Sequence, residues 1–399
     1  MSYLISVVLP VYNCEKYLRE SLDSIVNQTL GIENIEVIIV DDASTDNTFE
    51  IAKEYESKYP SIKAIQHEYN KGCGPGRNTG LEYVTTDYVT YLDGDDMVSS
   101  NAYERALEIF NEDEEVDLVL FRWEEFDDKG LWNRKDRCKE LLKEDKVITN
   151  IKEYPEIIFA SYAYIKVYPR KLFKYLDFPP GTYQDNIVSC RVMINAEKIF
   201  VAGDICVYYR QRSDSSSRDL SNQNDFNLLN SAKMVIDLRD ENPQYYDILS
   251  FLALKSTYWP IYHLGHSYCF TIDENKAVFE RLQEYPLYFS HEIFEKYREQ
   301  LPNYLQASEQ ALWDLNEMDY YEYVLKYCFL KENDNLKQDI NSKKQKISKL
   351  NKELKSKNKE IKKLKKENLK KDKKINAMLN SNSWKITKPL RKIKRNIKK

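Results

Sequence analysis

The sequence predicts an α/β protein: a mostly parallel sheet with helices on both faces, followed by a helical region and a basic helical tail. Three observations predict it. Apolar runs alternate with helix-period segments through the first hundred residues, the pattern of strands covered on both faces by crossover helices. From about Asn222 to Asn333 the apolar residues keep helical spacing with only scattered Pro. From Asn341 to Lys399 there are 24 Lys/Arg against four acids. The net charge of −4 therefore hides a tail near +20 and a body near −24 (36 basic and 60 acidic residues).

The elements follow in order. "LISVVLPVY" reads as a buried strand and "CEKYLRESLDSIVNQ" as a helix with Tyr17, Leu18, Leu22 and Ile25 on one face. "IEVIIVDDAS" is a second strand, and Asp46 or Thr45 can cap the helix "NTFEIAKEYESKYP". "IKAIQHE" is a third strand, "GPGRNTGLEYV" a Gly-rich turn into a helix, and "YVTYLD" a fourth strand. Beyond Glu104, "VDLVLFRWEEF" predicts a strand and "EYPEIIFASY" a helix. A further helix follows the Pro-Pro-Gly turn, and "FVAGDICVYYRQR" predicts a strand pair or hairpin. In parallel sheets ligands bind beyond the carboxyl ends of the strands. Pro10 to Tyr12, Asp41 with Asp42, and Asp93 to Asp96 are expected to meet at that edge.

Composition narrows the class. At 399 residues, 42% hydrophobic and 13% aromatic, the chain can bury the cores of two or three domains. Abundant Tyr and scarce Gly argue against disordered or fibrous classes. The N-terminus has neither a positive leader nor a small-residue cleavage site, so it predicts a buried strand rather than a signal peptide. No apolar run reaches the length of a membrane-spanning helix. Seven cysteines without Cys-x-x-Cys spacing predict neither a disulfide framework nor a zinc cluster, and a reducing, cytoplasmic setting. His263 and His266, three apart in a helical region, are read as structural.

The tail divides in two. With Ile340 at position a of a heptad, the later a sites are Ile347, Leu354, Ile361, Asn368 and Ile375. The d sites alternate Leu336, Leu350, Leu364 and Met378 with Lys343, Lys357 and Lys371. This predicts a coiled coil over 334–380 and a homo-oligomer; a solvated Lys-rich helix is the alternative. Residues 381–399 carry eight basic residues and no acid, interleaved with Trp384, Ile386, Leu390, Ile393 and Ile397. Such a segment suits an anionic membrane surface, and nucleic acid attracts it as well.

Four segments, "VVLPVYN", "VIIVDDASTDNT", "NKGCGPGRNTGL" and "YVTYLDGDDM", carry the chemistry. One Asp-x-Asp occurs by chance in many loops; four such segments in this order within a hundred residues are specific. Together they resemble the inverting, nucleotide-sugar-dependent family 2 glycosyltransferases over positions 1–218, in particular those that build bacterial capsule, teichoic acid or other surface polysaccharide. The resemblance implies a GT-A fold over 1–218, with a helical accessory region at 219–333. It also implies a UDP-sugar donor, a polysaccharide or lipid-linked glycan acceptor, and Mn²⁺ or Mg²⁺. Similar tails in that family favour the membrane surface over nucleic acid for 381–399, hence a peripheral position on the inner face of the cell membrane.

The resemblance also implies site residues. Pro10 and Tyr12 offer backbone contacts and a ring face to the base, Asp41 accepts the uracil N3–H, and Asn70 touches the nucleoside. Arg77 reaches a phosphate or the strand-end acids, and Gly94 lets the backbone approach the nucleotide. Asp95 is the expected metal ligand, with Asp93 facing the metal's shell or the ribose and Asp96 supporting the loop. Asp185 in "TYQDNIVS" is the expected base, with Gln184 where the family has Glu. Arg210, Arg212, Ser215 and Ser217 match a segment that the family places near the diphosphate. Plainer roles stand beside these: a core ring for Tyr12, turn caps for Asp41 and Asp42, a helix N-cap for Asp185, a solvated surface for Arg210 to Ser217. Two other functions compete, a non-catalytic sugar-nucleotide-binding scaffold and a nucleotidyltransferase. The second calls for an early Gly-rich basic loop, which "LPVYNCEKYLRES" lacks.

Overall fold

Ile5–Val11 (β1) and Ile35–Asp41 (β2) are buried at every position, as near-continuous apolar strands are when both sheet faces are covered. Leu18–Val26 (α1) turns Leu18, Leu22 and Ile25 inward. Thr48–Lys58 (α2) opens on Asp46, whose carboxylate accepts from the Thr48 amide at 3.0 Å and its hydroxyl at 2.6 Å. Ile62–Gln66 (β3), Cys73–Glu82 (α3) and Tyr88–Tyr91 (β4) complete the first half. The order β3-β2-β1-β4 is parallel throughout, and Val11 lies opposite Asp41, which lies opposite Gln66. Three strands thus end level, at one edge.

The computed structural model describes residues 2–127, 129–132, 137–212, 222–264, 272–298 and 309–320. It also describes 322, 323, 326, 327, 355, 357, 361–368 and 370–378. Met1–Cys328 and Phe329–Lys399 are two separate compact units. In the first, the chain continues through Met97–Val98 (β5), Ala102–Glu112 (α4), Leu118–Asp127 (β6), Gly130–Trp132 (β7), Arg137–Leu141 (α5) and Lys146–Ile148 (β8). Lys166–Pro169 (β9), Gln184–Asn195 (α6) and Ile199–Arg210 (β10) follow.

The sheet is mixed rather than mostly parallel. β6 and β10 pair in parallel, but β9 enters antiparallel between β4 and β6, and β5, β7 and β8 also pair antiparallel. Sequence reading misses β9 because it is short and begins with a lysine. The expected helix "EYPEIIFASY" is instead a pair of 3-10 turns, Ile151–Glu153 and Pro155–Phe159. Pro155 has no amide to carry a helical ladder through this segment. The expected hairpin "FVAGDICVYYRQR" is one strand, β10, with a bulge between Ala202 and Cys206. A Cβ on Gly203 would lie 2.4 Å from the Lys143 carbonyl oxygen, so this glycine marks a close approach and not a turn.

Asn222–Glu241 (α7), Tyr246–Ser256 (α8), Tyr258–Leu264 (α9), Ile272–Leu282 (α10), His291–Tyr297 (α11) and Glu309–Trp313 (α12) form the helical region. It belongs to the same compact unit as the sheet. The expected boundary at 218/219 falls in 213–221, outside the described residues. In the second unit 361–368 and 370–378 are helical, with Ile361, Leu364, Ile375 and Met378 exposed. Most of the remaining heptad segment and all of 381–399 lie outside the described residues. Among the described residues no helix is long and apolar enough to cross a membrane.

Candidate active site

The ends of β1 and β2 build one wall. Asp41 is fully buried; its Oδ2 accepts from the Ser44 amide (3.1 Å) and Gln66 Nε2 (3.0 Å). Its Oδ1 is buried with no hydrogen-bond partner among the described residues. Asp42 serves the loop instead, accepting from the amides of Lys71 (2.9 Å) and Gly72 (2.7 Å) and pairing with His67 Nδ1 at 2.7 Å. Asp41 thus caps its own turn through one oxygen, and Asp42 braces the 67–72 loop. Asn70 is exposed on the loop that Asp42 holds. Pro10 is buried in β1, and Tyr12 just beyond it is 47% exposed, a ring offered to solvent rather than to the core. Among the described residues, the non-glycine residues with positive φ are Asn13, Ala43 and Tyr183. Two follow the ends of β1 and β2, and the third precedes Gln184 and Asp185. Strain of this kind persists where surrounding structure over-determines the backbone.

The acids after β4 lie beside the end of β1, and arginines answer their mutual repulsion. Arg77 is buried and forks between two carboxylates, Asp93 Oδ1 at 2.8 Å and Asp185 Oδ1 at 2.6 Å. Arg212 Nε lies 3.0 Å from Asp95 Oδ2. Asp96 is fully buried; its Oδ1 accepts from the Arg210 amide at 2.8 Å, and its Oδ2 has no partner among the described residues. The Arg210 side chain braces the loop, donating to the Asp95 carbonyl (2.9 Å) and Glu20 (2.6 Å). The Tyr17 ring faces both guanidinium groups. A Cβ on Gly94 would fall 2.7 Å from Val11 Cγ1, so the acidic turn packs directly on the end of β1. Ser215 and Ser217 lie outside the described residues.

Burial raises the pKa of all three acids. Arg77 pulls Asp93 back down, Arg212 does the same for Asp95, and Asp96 is pushed well up by burial and by the charges of Asp95 and Asp93. Such a cluster gains from an added positive charge. Among the described residues no group of three or more His, Cys, Asp or Glu is placed to hold a metal ion. Two carboxylates, Asp95 and Asp93, fit a hard divalent ion that completes its shell from water and phosphate oxygen. Carboxylate oxygen is the donor type that hard ions such as Mn²⁺ and Mg²⁺ take.

Asp185 is not the N-cap of α6; Tyr183 holds that position. Its second oxygen accepts from the Ala163 amide at 3.0 Å. The chain around Ala163 is itself tied down. The Lys166 ammonium nitrogen reaches the carbonyls of Ala160 and, at 2.6 Å, Tyr162, while the Tyr168 hydroxyl donates to the Ala163 carbonyl at 3.1 Å. Gln184 is buried close behind Gly74. Sequence reading misses Glu20, Tyr17 and Lys166. The first two sit on a helix that looks amphipathic and ordinary. Lys166 is visible only once "IKVYP" is read as a buried strand, where a lysine is out of place.

Burial pulls the Lys166 pKa from 10.5 down to about 7, with Asp185 opposing. A neutral amine has two N–H donors, matching the two carbonyls. Between about pH 7 and 10 the unfolded chain binds this proton more than the folded one, so folding stability rises with pH through that window. Lys166→Met is expected to lose this rise. Guanidinium unfolding of both proteins at pH 7 and 9.5 measures it, and parallel pH dependences would show the lysine charged in the fold.

A family model, glycosyl transferase family 2, matches residues 6–176. Glycosyltransferase GlyG of Streptococcus pneumoniae serotype 4 is 31% identical over 228 residues, 55% of this chain and 74% of that protein. The chain belongs to glycosyl transferase family 2. The family 2 chain is also 30% identical over 270 residues to the minor teichoic acid biosynthesis protein GgaB of Bacillus subtilis, covering 65% of this chain but only 29% of GgaB. It therefore spans under a third of that relative's length. Its fold is that of S. aureus TarS residues 1–349, solved in complex with UDP-GlcNAc, at a TM-score of 0.60 and 24% identity. The match covers 79% of this chain and 90% of that one. That likeness gives the family 2 chain the GT-A-like architecture and nothing finer.

Proposed function

We propose that the protein is a metal-dependent, inverting glycosyltransferase that moves a sugar from a UDP-sugar to a hydroxyl of a cell-surface polysaccharide or lipid-linked glycan. One observation carries this: a single buried guanidinium, Arg77, holds both Asp93 and Asp185. It joins the acids proposed to face a diphosphate's cation to the acid proposed as the base. A protein that only binds sugar nucleotide needs no base there. TarS is described with UDP-GlcNAc, which makes that the first donor to try.

In the reaction the acceptor oxygen bonds to the anomeric carbon from the face opposite the diphosphate. The carbon–oxygen bond to the diphosphate breaks, its electron pair leaving on UDP, and the acceptor's proton passes to the Asp185 carboxylate. Asp95 with Asp93 would hold Mn²⁺ or Mg²⁺, which when bound would neutralise the departing diphosphate. Arg212 beside Asp95 adds positive charge there. UDP release from a panel of UDP-sugars, with and without Mn²⁺, tests the proposal. Release with at least one donor, dependent on the ion, is expected; tight UDP binding without release from any donor would favour the scaffold.

Asp41 supports the choice of uridine. In Asp41→Asn the amide oxygen is held by Ser44 and Gln66, so the NH₂ takes the place of the unpartnered Oδ1. Losing a charged hydrogen bond worth about 1.5–3 kcal/mol lowers UDP affinity roughly 10- to 100-fold. A donor at that position suits cytosine N3, so CDP gains relative to UDP. Titration calorimetry with both nucleotides decides; an unchanged UDP-to-CDP ratio would remove Asp41 from base recognition.

The tail extends the proposal to a peripheral enzyme on the inner, cytoplasmic face of the cell membrane, assembled through the 334–380 heptads. Deleting 382–399 removes eight basic residues, each contributing about 1 kcal/mol at an anionic surface. The shortened protein is expected to stay in the supernatant when anionic vesicles are sedimented. Undiminished co-sedimentation would defeat the anchor.

A further inference from the structure

Beyond β9 the sheet continues as β6 and β10, flanked by β7 on β6 and by β5 on β10. β9 pairs with β6 only at Val119 and Leu120, whereas β6 and β10 continue side by side to Phe126 and Arg210. On this extension Glu125 lies opposite Tyr209 and Trp123 opposite Val207, on one face. The segment Ser161–Tyr164 packs there and brings two more rings. Tyr162, Tyr164 and Tyr209 are near parallel, with interplanar angles of 13° to 26° and centroids 5.2 to 6.4 Å apart. Trp123 meets Tyr162 edge-on at 5.3 Å.

This arrangement differs from ordinary core packing in three respects. Tyr162 and Tyr209 are half-buried, not sealed. The residue between Tyr162 and Tyr164 is Ala163, whose amide bonds Asp185, so the rings flank the very peptide that touches the base. The segment is also pinned at four points, by Lys166 at Tyr162, by Tyr168 and Asp185 at Ala163, and by Ser189 at the Ser161 carbonyl (2.6 Å). Tyr164 is buried, its hydroxyl has no partner among the described residues, and it feels the charges of Asp96 and Asp93. The Ala163 peptide thus sets the rings beside the base, with Tyr164 within reach of the acidic turn's charge. A rigid aromatic surface in that position has an occupant defined by chemistry, because the hydroxyl that Asp185 deprotonates must come within about 3 Å of it.

We propose that Tyr162 and Tyr209, backed by the buried Tyr164, form the acceptor subsite, a platform on which a ring sugar of the acceptor stacks so that one of its hydroxyls meets Asp185. A pyranose presents several C–H groups on one flat face, which complements the electron-rich faces of near-parallel rings. An open-chain polyol phosphate has no such face and gains little from the stack. The inference rests on the glycosyltransferase proposal and narrows its acceptor to a cyclic sugar.

The probes are methyl pyranosides of glucose, galactose and their 2-acetamido forms, set against poly(ribitol phosphate), each tested for stimulation of UDP release. Stimulation by at least one pyranoside is expected. Tyr162→Leu, which keeps apolar volume without a flat ring, raises the KM for that pyranoside about tenfold, the equivalent of about 1.4 kcal/mol of stacking. Its KM for the UDP-sugar stays within about twofold, and Tyr162→Phe restores the acceptor KM. The subsite is overturned if no pyranoside stimulates release, if poly(ribitol phosphate) alone does, or if Tyr162→Leu leaves the acceptor KM where it was. Failure of the wild type to release UDP from any donor is a different result; it removes the glycosyltransferase proposal itself.

Discussion

Asp185→Asn lowers transfer by about 10²- to 10⁴-fold, the usual contribution of a positioned general base, while UDP affinity stays near wild type. The direction follows from the geometry. The Asp185 carboxylate spends one lone pair of Oδ1 on Arg77 and one of Oδ2 on the Ala163 amide. Each oxygen of an ionised carboxylate has a second lone pair, so a proton can still be accepted. Asparagine keeps one acceptor oxygen and turns an NH₂ toward either the guanidinium or the amide, both of which are donors. The variant loses the base and gains one mismatched contact, at a distance from Asp41 and Tyr12, where the nucleoside is proposed to sit. Single-turnover transfer and UDP calorimetry on the same preparation separate the two effects. Should UDP binding collapse along with transfer, Asp185 would be a prop for Arg77 and the base would have to be sought elsewhere.

The second large effect is at the acidic turn. Asp95→Asn removes the charge that an ion on the diphosphate would meet, and several kcal/mol of leaving-group stabilisation goes with it, on the order of 10²- to 10³-fold in rate. Raising Mn²⁺ restores part of the loss if Asp93 still holds the ion. Asp95 also pairs with Arg212, so the variant loosens that arginine as well. Asp95→Glu separates the roles, since it retains the charge while displacing it. The Mn²⁺ concentration that gives half-maximal rate is the measurement, expected to rise steeply in Asp95→Asn and modestly in Asp95→Glu. An unchanged half-maximal concentration in both would mean that the ion, if one is used, is held by other groups.

The alternation of apolar runs and helix-period segments made the parallel half of the sheet legible, and the strand-end rule pointed to the edge where β1, β2 and β3 end level. Asp41, Asp93, Asp95 and Asp185 were named from the family resemblance, and the structure brings two of them, Asp93 and Asp185, onto one guanidinium. What stayed hidden depends on contacts far apart in sequence. Arg77 reaches Asp185 across 108 positions and Arg210 reaches Glu20 across 190, distances over which no periodicity carries information. β9 was hidden by its four-residue length, and Lys166 by the rule that lysines belong outside. The bulge in β10 looked like a turn because a glycine needed for close packing resembles one needed for positive φ. Asp42 and Asp41 looked equivalent in sequence. Only the structure shows that Asp42 is consumed by the 67–72 loop while Asp41 keeps an unpartnered oxygen.

The strand-end acids matter, on this account, because together they hold a divalent ion against the diphosphate of a sugar nucleotide. Anomalous diffraction from crystals of the full chain grown with UDP and Mn²⁺ tests that directly. The account predicts one manganese peak in contact with an Asp95 oxygen and the diphosphate, with the uracil at Asp41. A diphosphate bound only by arginines, or manganese seated away from the acidic turn, would contradict it.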